Sequence, residues 1–310
     1  MATGDENISV VMPVRNGEYF LEEILHKILK MVQVDDEIIV INDGSIDATG
    51  QILQEWSNKY SQIKLITTNG MGLVAALNLG IKSAKNNWIA RFDVDDDYPL
   101  NRLAVQRNLI SEDVGAIFCD YSLNVEGKKE IGTIPSAIYS EAISVSLIHS
   151  QRTPHPGVIL NKSKFLQVGG YREIDFPAED ISLWLRLSQI SKLVASPHVL
   201  LHYRVSKTSI TGNNRALTIR KTNEVLSSFR INEKDIEYCQ KNWKIIFSQY
   251  DLCSRSSERK LLFLYDLRGT LKFQNRQSRE IASILFNLIF DWGTYPAALK
   301  LLRLRFLKNR

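Results

Sequence analysis

The sequence predicts an α/β fold: a mostly parallel central sheet with helices on both faces, followed by a helical C-terminal extension. Three observations predict it. Through the first hundred residues, short β-branched apolar runs alternate with amphipathic helical patterns, the signature of βαβ units. The strand runs are almost continuously apolar, as strands covered on both faces require. Beyond about Asn213 the chain becomes long, basic, amphipathic segments with only two glycines, Gly269 and Gly293, which read as three to five helices.

The elements follow in order. Ile8–Val14, Glu37–Asp43, Ile63–Thr68 and Asn87–Asp93 read as strands. Tyr19–Met31, Ala48–Tyr60 and Met71–Lys85 read as the helices between them, the first with Phe20, Ile24, Ile28 and Met31 on one face. From Gly115, "GAIFCDYSLN" reads as a strand and "GKKEIGTI" as a hairpin turn with its partner. "HPGVILNKSKFLQVGGYRE" reads as a strand, a short helix and a Gly-Gly turn. Ala178–Ile190 is helical, with Ile181, Leu185 and Ile190 near one face, and Val199–Thr211 starts as a strand and ends as a polar loop. The division is residues 1–212 and a basic region, 213–310.

Composition narrows the class. The chain has 310 residues, 44% hydrophobic and 24% charged, ordinary for a globular protein. Its three cysteines, Cys119, Cys239 and Cys253, lie far apart and form no CxxC pair. That argues against a disulfide framework or a zinc site and fits a reducing cytoplasm. The start, "MATGDENISV", lacks the order of a signal peptide, and no stretch reaches about 18 uninterrupted apolar residues. Net charge is +5, unevenly placed. Residues 1–214 carry 20 Lys and Arg against 25 Asp and Glu, a balance of −5; residues 215–310 carry 19 against 9, a balance of +10. An acidic body with a basic tail implies two jobs.

Polar clusters sit at the strand exits: "RNGE" after the first strand, "NDGSID" after the second, "TNGMG" after the third and "DVDDD" after the fourth. In a parallel sheet all four converge on one rim, where ligands bind. Asp93 and Asp95 are two apart on an extended segment, so both carboxylates can face one site. Hard divalent cations bind through one or two carboxylates plus phosphate oxygens; the competing reading is a solvated acidic loop. Asp96 and Asp97 would tune the field or cap the helix around Arg102. Asp43 can accept a hydrogen bond from a base or ribose, with Ser45 close by, while Asp47 caps the next helix. Arg15, beside Asn16, can stack on a nucleobase or pair with a carboxylate. Glu179 and Asp180 open a helix, where acids suit the dipole; the functional reading makes Asp180 a general base. His155, between two prolines, is the least core-like histidine.

The set "SVVMPVRNGEYFLEEIL", "IIVINDGSIDAT", "GLVAALNLGIKSAKNNWIARFDVDDDYPLNRL", "HPGVILNKSKFLQVGGYRE" and "PAEDISLWLRL" resembles the family 2 glycosyltransferases of GT-A (Rossmann-like) fold, over about residues 7–211. The resemblance implies a metal-dependent inverting transfer from a nucleotide-sugar, UDP by preference, to a glycan or lipid-linked acceptor in surface polysaccharide synthesis, of lipopolysaccharide O-antigen or capsule. It implies donor binding in about 1–110 and acceptor binding in about 111–212. It assigns donor contacts to Pro13, Arg15, Asn16, Asp43, Ser45, Asn78, Arg91, Asp93, Asp95 and Arg204. Asp95 and Asp93 would hold Mn²⁺ or Mg²⁺. Asp180, with Glu179 beside it, would be the base, and His155, Glu179 and Trp184 would meet the acceptor. Two departures stand out. Asn42 occupies a position where the family commonly has an acid, which weakens a ribose or backbone contact. The Q-x-x-R-W pattern of processive members is absent, which argues for adding a single sugar.

The basic tail allows two readings. "PAALKLLRLRFLKNR" places Leu299, Leu302 and Phe306 on one stripe, below the apolar run 280–292. It would rest peripherally on the inner face of the cytoplasmic membrane. Alternatively it packs as a helical subdomain on the catalytic domain or on a second copy in a homodimer. No nucleic-acid reading module is present, so nucleic acid is not an expected partner. Two functional alternatives stay open. One is a sugar-nucleotide nucleotidyltransferase, whose first loop is normally glycine-rich, whereas "PVRNGEYF" has a single glycine. The other is a non-catalytic scaffold of the same fold, against which the intact Asp43, Asp95 and Asp180 speak.

Overall fold

A computed structural model of the chain describes residues 6–125, 128–132, 153–204, 215–229 and 234. Eight strands form one sheet: β1 (Ile8–Val14), β2 (Glu37–Asp43), β3 (Ile63–Thr68), β4 (Trp88–Arg91), β5 (Val114–Val125), β6 (Lys128–Gly132), β7 (Ile159–Asn161) and β8 (Lys192–Arg204). The order is β3-β2-β1-β4-β7-β5-β6, with β8 pairing β5. The first four are parallel, as are β5 and β8. The short β7 runs antiparallel to both β4 and β5 and knits the two parallel groups into one sheet.

Helices cover both faces: α1 (Glu18–Met31), α2 (Thr49–Lys59), α3 (Leu73–Ser83), α4 (Arg102–Arg107), α5 (Lys162–Gln167), α6 (Glu179–Ser188) and α7 (Arg215–Ser228). Alternation along the central strands divides the core. Val10, Met12, Ile38 and Val40 pack with α1, α2 and α4, while Val11, Ile39 and Ile41 pack with α3, α5 and α6. Each such side chain contributes roughly 1.5–3 kcal/mol by leaving water. The chain winds outward from β1 to β3, then crosses back to β4 on the other side of β1. That reversal opens a crevice beyond the carboxyl ends of β1 and β4.

Several boundaries differ from the sequence reading, each for a local reason. β8 begins at Lys192, seven residues earlier than Val199. Pro197 argues against a strand there, but a bulge absorbs it, and pairing with β5 skips from Ser196 to Val199. On α1 the buried positions include Leu21 and Leu25, and Phe20 lies at the edge of the buried face. α6 is buried on nearly every side, through Ile181, Leu183, Trp184, Leu185 and Leu187, whereas Ile190 lies beyond its end and is exposed. Asp96 and Asp97 do not cap α4. That helix starts at Arg102 behind Asn101 with no side-chain cap, and both aspartates have other partners.

Arg102 is a buried cation that the sequence did not single out. Its guanidinium lies 4.0 Å from the Phe92 ring centroid and 4.7 Å from that of Tyr98, and Nη2 donates to Arg91 O at 2.8 Å. The first helix of the C-terminal region, α7, packs Val225 and Leu226 into the α3–α6 core. Residues 235–310, with Cys239, Cys253 and the Leu299–Leu302–Phe306 stripe, lie outside the described residues. So do residues 205–214, into which the polar loop after β8 runs. Among the described residues no helix is long and apolar enough to cross a membrane.

Candidate active site

The loops after β1, β2 and β3 are laced together at the rim. Asn16 N donates to Ser45 Oγ at 2.9 Å, and Ile46 N donates to Asn16 Oδ1 at 2.9 Å. Gly17 N donates to Thr49 Oγ1, Ala48 N to Glu18 Oε2, and Thr49 N to Asp47 Oδ1. Asp47 thus serves the start of α2, as its position suggests. Asn42 Oδ1 accepts from Ser45 N at 3.1 Å, so the amide organises its own turn.

Asp43 sits at the centre of this rim. Its Oδ1 accepts from Thr68 Oγ1 at 2.5 Å and Met71 N at 2.7 Å, and its Oδ2 from Gly72 N at 2.9 Å. Burial alone would raise this carboxyl, but those bonds and the Arg15 charge outweigh it and hold it below the usual range. Three donors leave about one of the four lone-pair sites free. Gly44 makes the packing feasible: its φ is +70°, and a Cβ there would lie 2.7 Å from Gly70 N.

The loop after β4 answers why four aspartates crowd together. Asp93 Oδ1 pairs with Arg91 Nη2 at 2.7 Å. Asp96 Oδ1 accepts from Arg204 N at 3.0 Å, and Asp97 pairs with Lys27 at 2.5 Å. Neither Asp95 nor Asp96 makes an ion pair among the described residues; Asp96 keeps its backbone bond with Oδ2 unpartnered, and of the four only Asp95 has no bond to another described residue. Burial, then the charge on Asp93, pushes its carboxyl up. The same two causes, in that order, push Asp96 up. A cation here would relieve both. Among the described residues no group of three or more His, Cys, Asp or Glu side chains is placed to hold a metal alone. The donor set therefore fits a hard cation sharing Asp95 and Asp93 with diphosphate oxygens and water.

Across the rim, Glu179 and Asp180 open α6. Asp180 is partly exposed and accepts from Ile181 N at 2.7 Å, whereas Glu179 is buried with Oε2 unpartnered. Burial, then the charge of Asp180, pushes Glu179 up to about 7; burial also raises Asp180. Arg91 is 4% exposed, with Nε and Nη1 unpartnered. Its charge is felt by Asp95, Asp96, Glu179, Asp180 and His155. It therefore sits between the acidic loop and α6.

The other expected residues fall into two groups. Pro13 lies in β1, paired with Ile41, one strand position before the rim. Arg204 leans over the Phe20 ring on α1 at 5.1 Å, with Nη2 3.7 Å from Glu23. Asn78 and His155 are half-buried, and only Trp184 lies deep. Asn78 bonds both backbone atoms of Tyr171. Trp184 is fully buried edge-on to Phe118, its Nε1 unpartnered. His155 Nε2 lies 2.7 Å from Tyr171 Oη. Sequence reasoning passed over Tyr171; the Gly-Gly pair before it, both at positive φ, was the available signal.

Residues 9–160 match the family model described as glycosyl transferase family 2. That stretch is a family 2 glycosyltransferase domain. An uncharacterized glycosyltransferase of Rickettsia prowazekii is 28% identical over 217 residues, covering 66% of this chain and 65% of its own length. The Escherichia coli UDP-Gal:alpha-D-GlcNAc-diphosphoundecaprenol beta-1,3-galactosyltransferase is 29% identical over 197 residues, 60% of this chain and 69% of that one. Among solved structures, S. aureus TarS 1-349 superposes with a TM-score of 0.58 at 17% identity, covering 84% of this chain and 79% of its own. The mannosyltransferase PcManGT of Pyrobaculum calidifontis, in complex with GDP-Man and Mn²⁺, gives 0.58 at 15% identity over 93% and 87%. At those identities the family 2 transferase shares with them its GT-A-type fold.

Proposed function

We propose that this family 2 glycosyltransferase moves one sugar from a nucleotide-sugar to a hydroxyl of a glycan or lipid-linked glycan, with a divalent cation and inversion at the anomeric carbon. The observation that carries the reading is the convergence on one rim of a held carboxylate (Asp43), an unpaired one (Asp95) and a partly exposed one at a helix start (Asp180).

In this reading Arg15 and the free edge of Asp43 receive the nucleoside, while Asp95 and Asp93 hold Mn²⁺ or Mg²⁺ against the diphosphate. The bound cation supplies Lewis-acid neutralisation of the charge that the leaving diphosphate acquires. The chain's own groups do the rest. Arg91 lies between the acidic loop and α6, where its unpartnered N–H groups can bind an incoming oxygen. Asp180 takes the proton of the acceptor hydroxyl as its oxygen bonds to the anomeric carbon. The bond from that carbon to the diphosphate breaks with its electrons on the departing oxygen. Inversion in this reading requires Asp180 to stand on the face of the sugar opposite the diphosphate; that the Arg91 charge reaches both Asp95 and Asp180 supports the two sharing one site.

The relatives set the expected substrates. The E. coli relative uses UDP-Gal and a diphosphoundecaprenol-linked acceptor; TarS has been crystallised with UDP-GlcNAc and PcManGT with GDP-Man and Mn²⁺. A UDP-sugar donor, a lipid-linked acceptor and surface polysaccharide synthesis follow as the favoured reading. The basic region 213–310 would then bring the enzyme to the membrane that holds such an acceptor. The lack of Q-x-x-R-W supports single addition. A thermal-shift screen of UDP- and GDP-sugars with and without Mn²⁺ tests this. One donor should raise Tm, and only with metal. No shift with any nucleotide-sugar in either condition would overturn the reading.

A further inference from the structure

A chain of contacts runs from α3, on the nucleotide side, to α6, which carries Asp180. Asn78 on α3 grips the backbone of Tyr171: Nδ2 donates to Tyr171 O at 2.9 Å, and Oδ1 accepts from Tyr171 N at 3.1 Å. The approach needs glycine at 170. Its φ is +66°, and a Cβ there would lie 2.8 Å from Asn78 Oδ1 and 3.1 Å from the Phe165 ring. The Tyr171 hydroxyl then meets His155 Nε2 at 2.7 Å. The His155 ring lies edge-on to Trp184, centroids 5.9 Å apart. Trp184 is four residues after Asp180, one helical turn along.

Both members of the Tyr171–His155 pair are neutral. Burial, then the Arg91 charge, holds His155 well below the imidazole range, and burial raises the Tyr171 phenol. A neutral imidazole keeps one bare nitrogen, so a protonated phenol can donate to it. Tyr171 is 3% exposed and belongs to the same packed cluster as Ala178, Ile181 and Trp184, which flank Glu179 and Asp180; the charges of both carboxylates act on its phenol.

We propose that Tyr171, fixed by Asn78 and His155, is a positioning residue that seals the inner side of the Glu179–Asp180 pair from water and holds the first turn of α6 at the rim. The proposal rests on Asp180 being the base. The groups facing the carboxylate pair come from every neighbouring element. Arg91, ending β4, and Asp93 just beyond it act on Glu179 or Asp180, as does Tyr171 on the segment before α6; Asp175 accepts from Ser182 on α6, His155 lies against Trp184, and α7 adds Val225 and Leu226 to the core behind them. Of these, the phenol is the neutral group whose hydroxyl ties two segments together. Without that tie, water reaches the carboxyls and they ionise more readily.

The test uses the full chain and no substrate. In Tyr171→Phe, carboxyl-¹³C NMR should show Glu179 binding its proton about tenfold more weakly, one pH unit. Imidazole ¹⁵N shifts should show His155 losing its Nε2 hydrogen bond. His155→Gln should move Glu179 in the same direction and serves if Tyr171→Phe folds poorly. Turnover with the donor chosen by the thermal screen should fall about tenfold at an unchanged donor KM. A Glu179 midpoint unmoved in both variants overturns this inference and leaves the glycosyl-transfer reading standing. A donor screen without any hit overturns that reading and leaves the NMR result intact.

Discussion

The donor side and the base side of the rim treat their polar groups in opposite ways. Around Asp43 the loop groups are largely bonded to one another: three hydrogen bonds converge on one carboxylate and leave about one lone-pair site, and the Asn16, Ser45 and Asp47 side chains cross-link the loops. Around Asp180 the buried polar atoms are left open. Arg91 Nε and Nη1, Glu179 Oε2 and Trp184 Nε1 lack partners in the described structure, as does Asp96 Oδ2 on the acidic loop that Arg91 adjoins. A buried polar atom without a hydrogen bond costs roughly 1–3 kcal/mol, so a fold carries several together where a ligand or proton is due. The contrast teaches that one half is pre-organised for a constant ligand, while the other keeps its bonding capacity for chemistry.

Substitutions on the two sides should therefore fail differently. On the base side, Asp180→Asn should lower kcat by about 10²–10⁴-fold with little change in Tm. A comparable loss of stability would place Asp180 among the structural groups instead. On the donor side, Asp43→Ala leaves the Thr68 hydroxyl and the part-buried N–H groups of Met71 and Gly72 without their acceptor. It should cost about 2 kcal/mol of stability and raise donor KM at least tenfold, read by urea unfolding and initial rates. Gly44→Ala attacks the same loop contact through backbone alone. With φ at +70° it should cost about 1–2 kcal/mol, and donor affinity should fall while the pH dependence of kcat stays unchanged.

The smallest effect sharpens the contrast through pH. Glu179 holds its proton more tightly when folded than when unfolded, its carboxyl being raised to about 7 by burial and by Asp180. That stability is complete below about pH 4.5 and is lost as pH rises through about 7. Glu179→Gln has no proton to lose. Its Tm relative to the parent should therefore climb between pH 5 and pH 8, by the equivalent of about 1 kcal/mol. Parallel curves would show that Glu179 titrates as an ordinary surface carboxyl.

Much of this organisation was legible in the residues. Four apolar runs, each ending in a polar cluster, located the rim, because in a parallel sheet strand direction alone puts those clusters together. The i, i+2 spacing of Asp93 and Asp95 was readable for the same reason, but which aspartate stays unpaired was not. That depended on Lys27, 70 residues away, and on the Arg204 backbone, 108 residues beyond Asp96. The family resemblance assigned Trp184 an acceptor contact; its burial against Phe118 is a product of tertiary packing that no local pattern displays. Arg102 and the Asn78–Tyr171 grip were invisible because they are long-range satisfactions of single groups. No local pattern announces that a guanidinium will lie between Phe92 and Tyr98 or that an amide will reach across 93 residues. The β8 boundary was obscured by Pro197, which a bulge accommodates only because β5 is there to pair around it.

The central claim is that Asp95, alone of the four aspartates in having no bond to another described residue, is left for a divalent cation to join to a diphosphate. Calorimetric titration of UDP and GDP into the chain, with and without Mn²⁺, measures it most directly. One nucleotide should bind only with Mn²⁺, and Asp95→Asn should abolish that metal-dependent binding while Tm without ligand holds or rises, since the raised carboxyl is removed. Binding of equal strength without Mn²⁺, or undiminished in Asp95→Asn, would contradict the account.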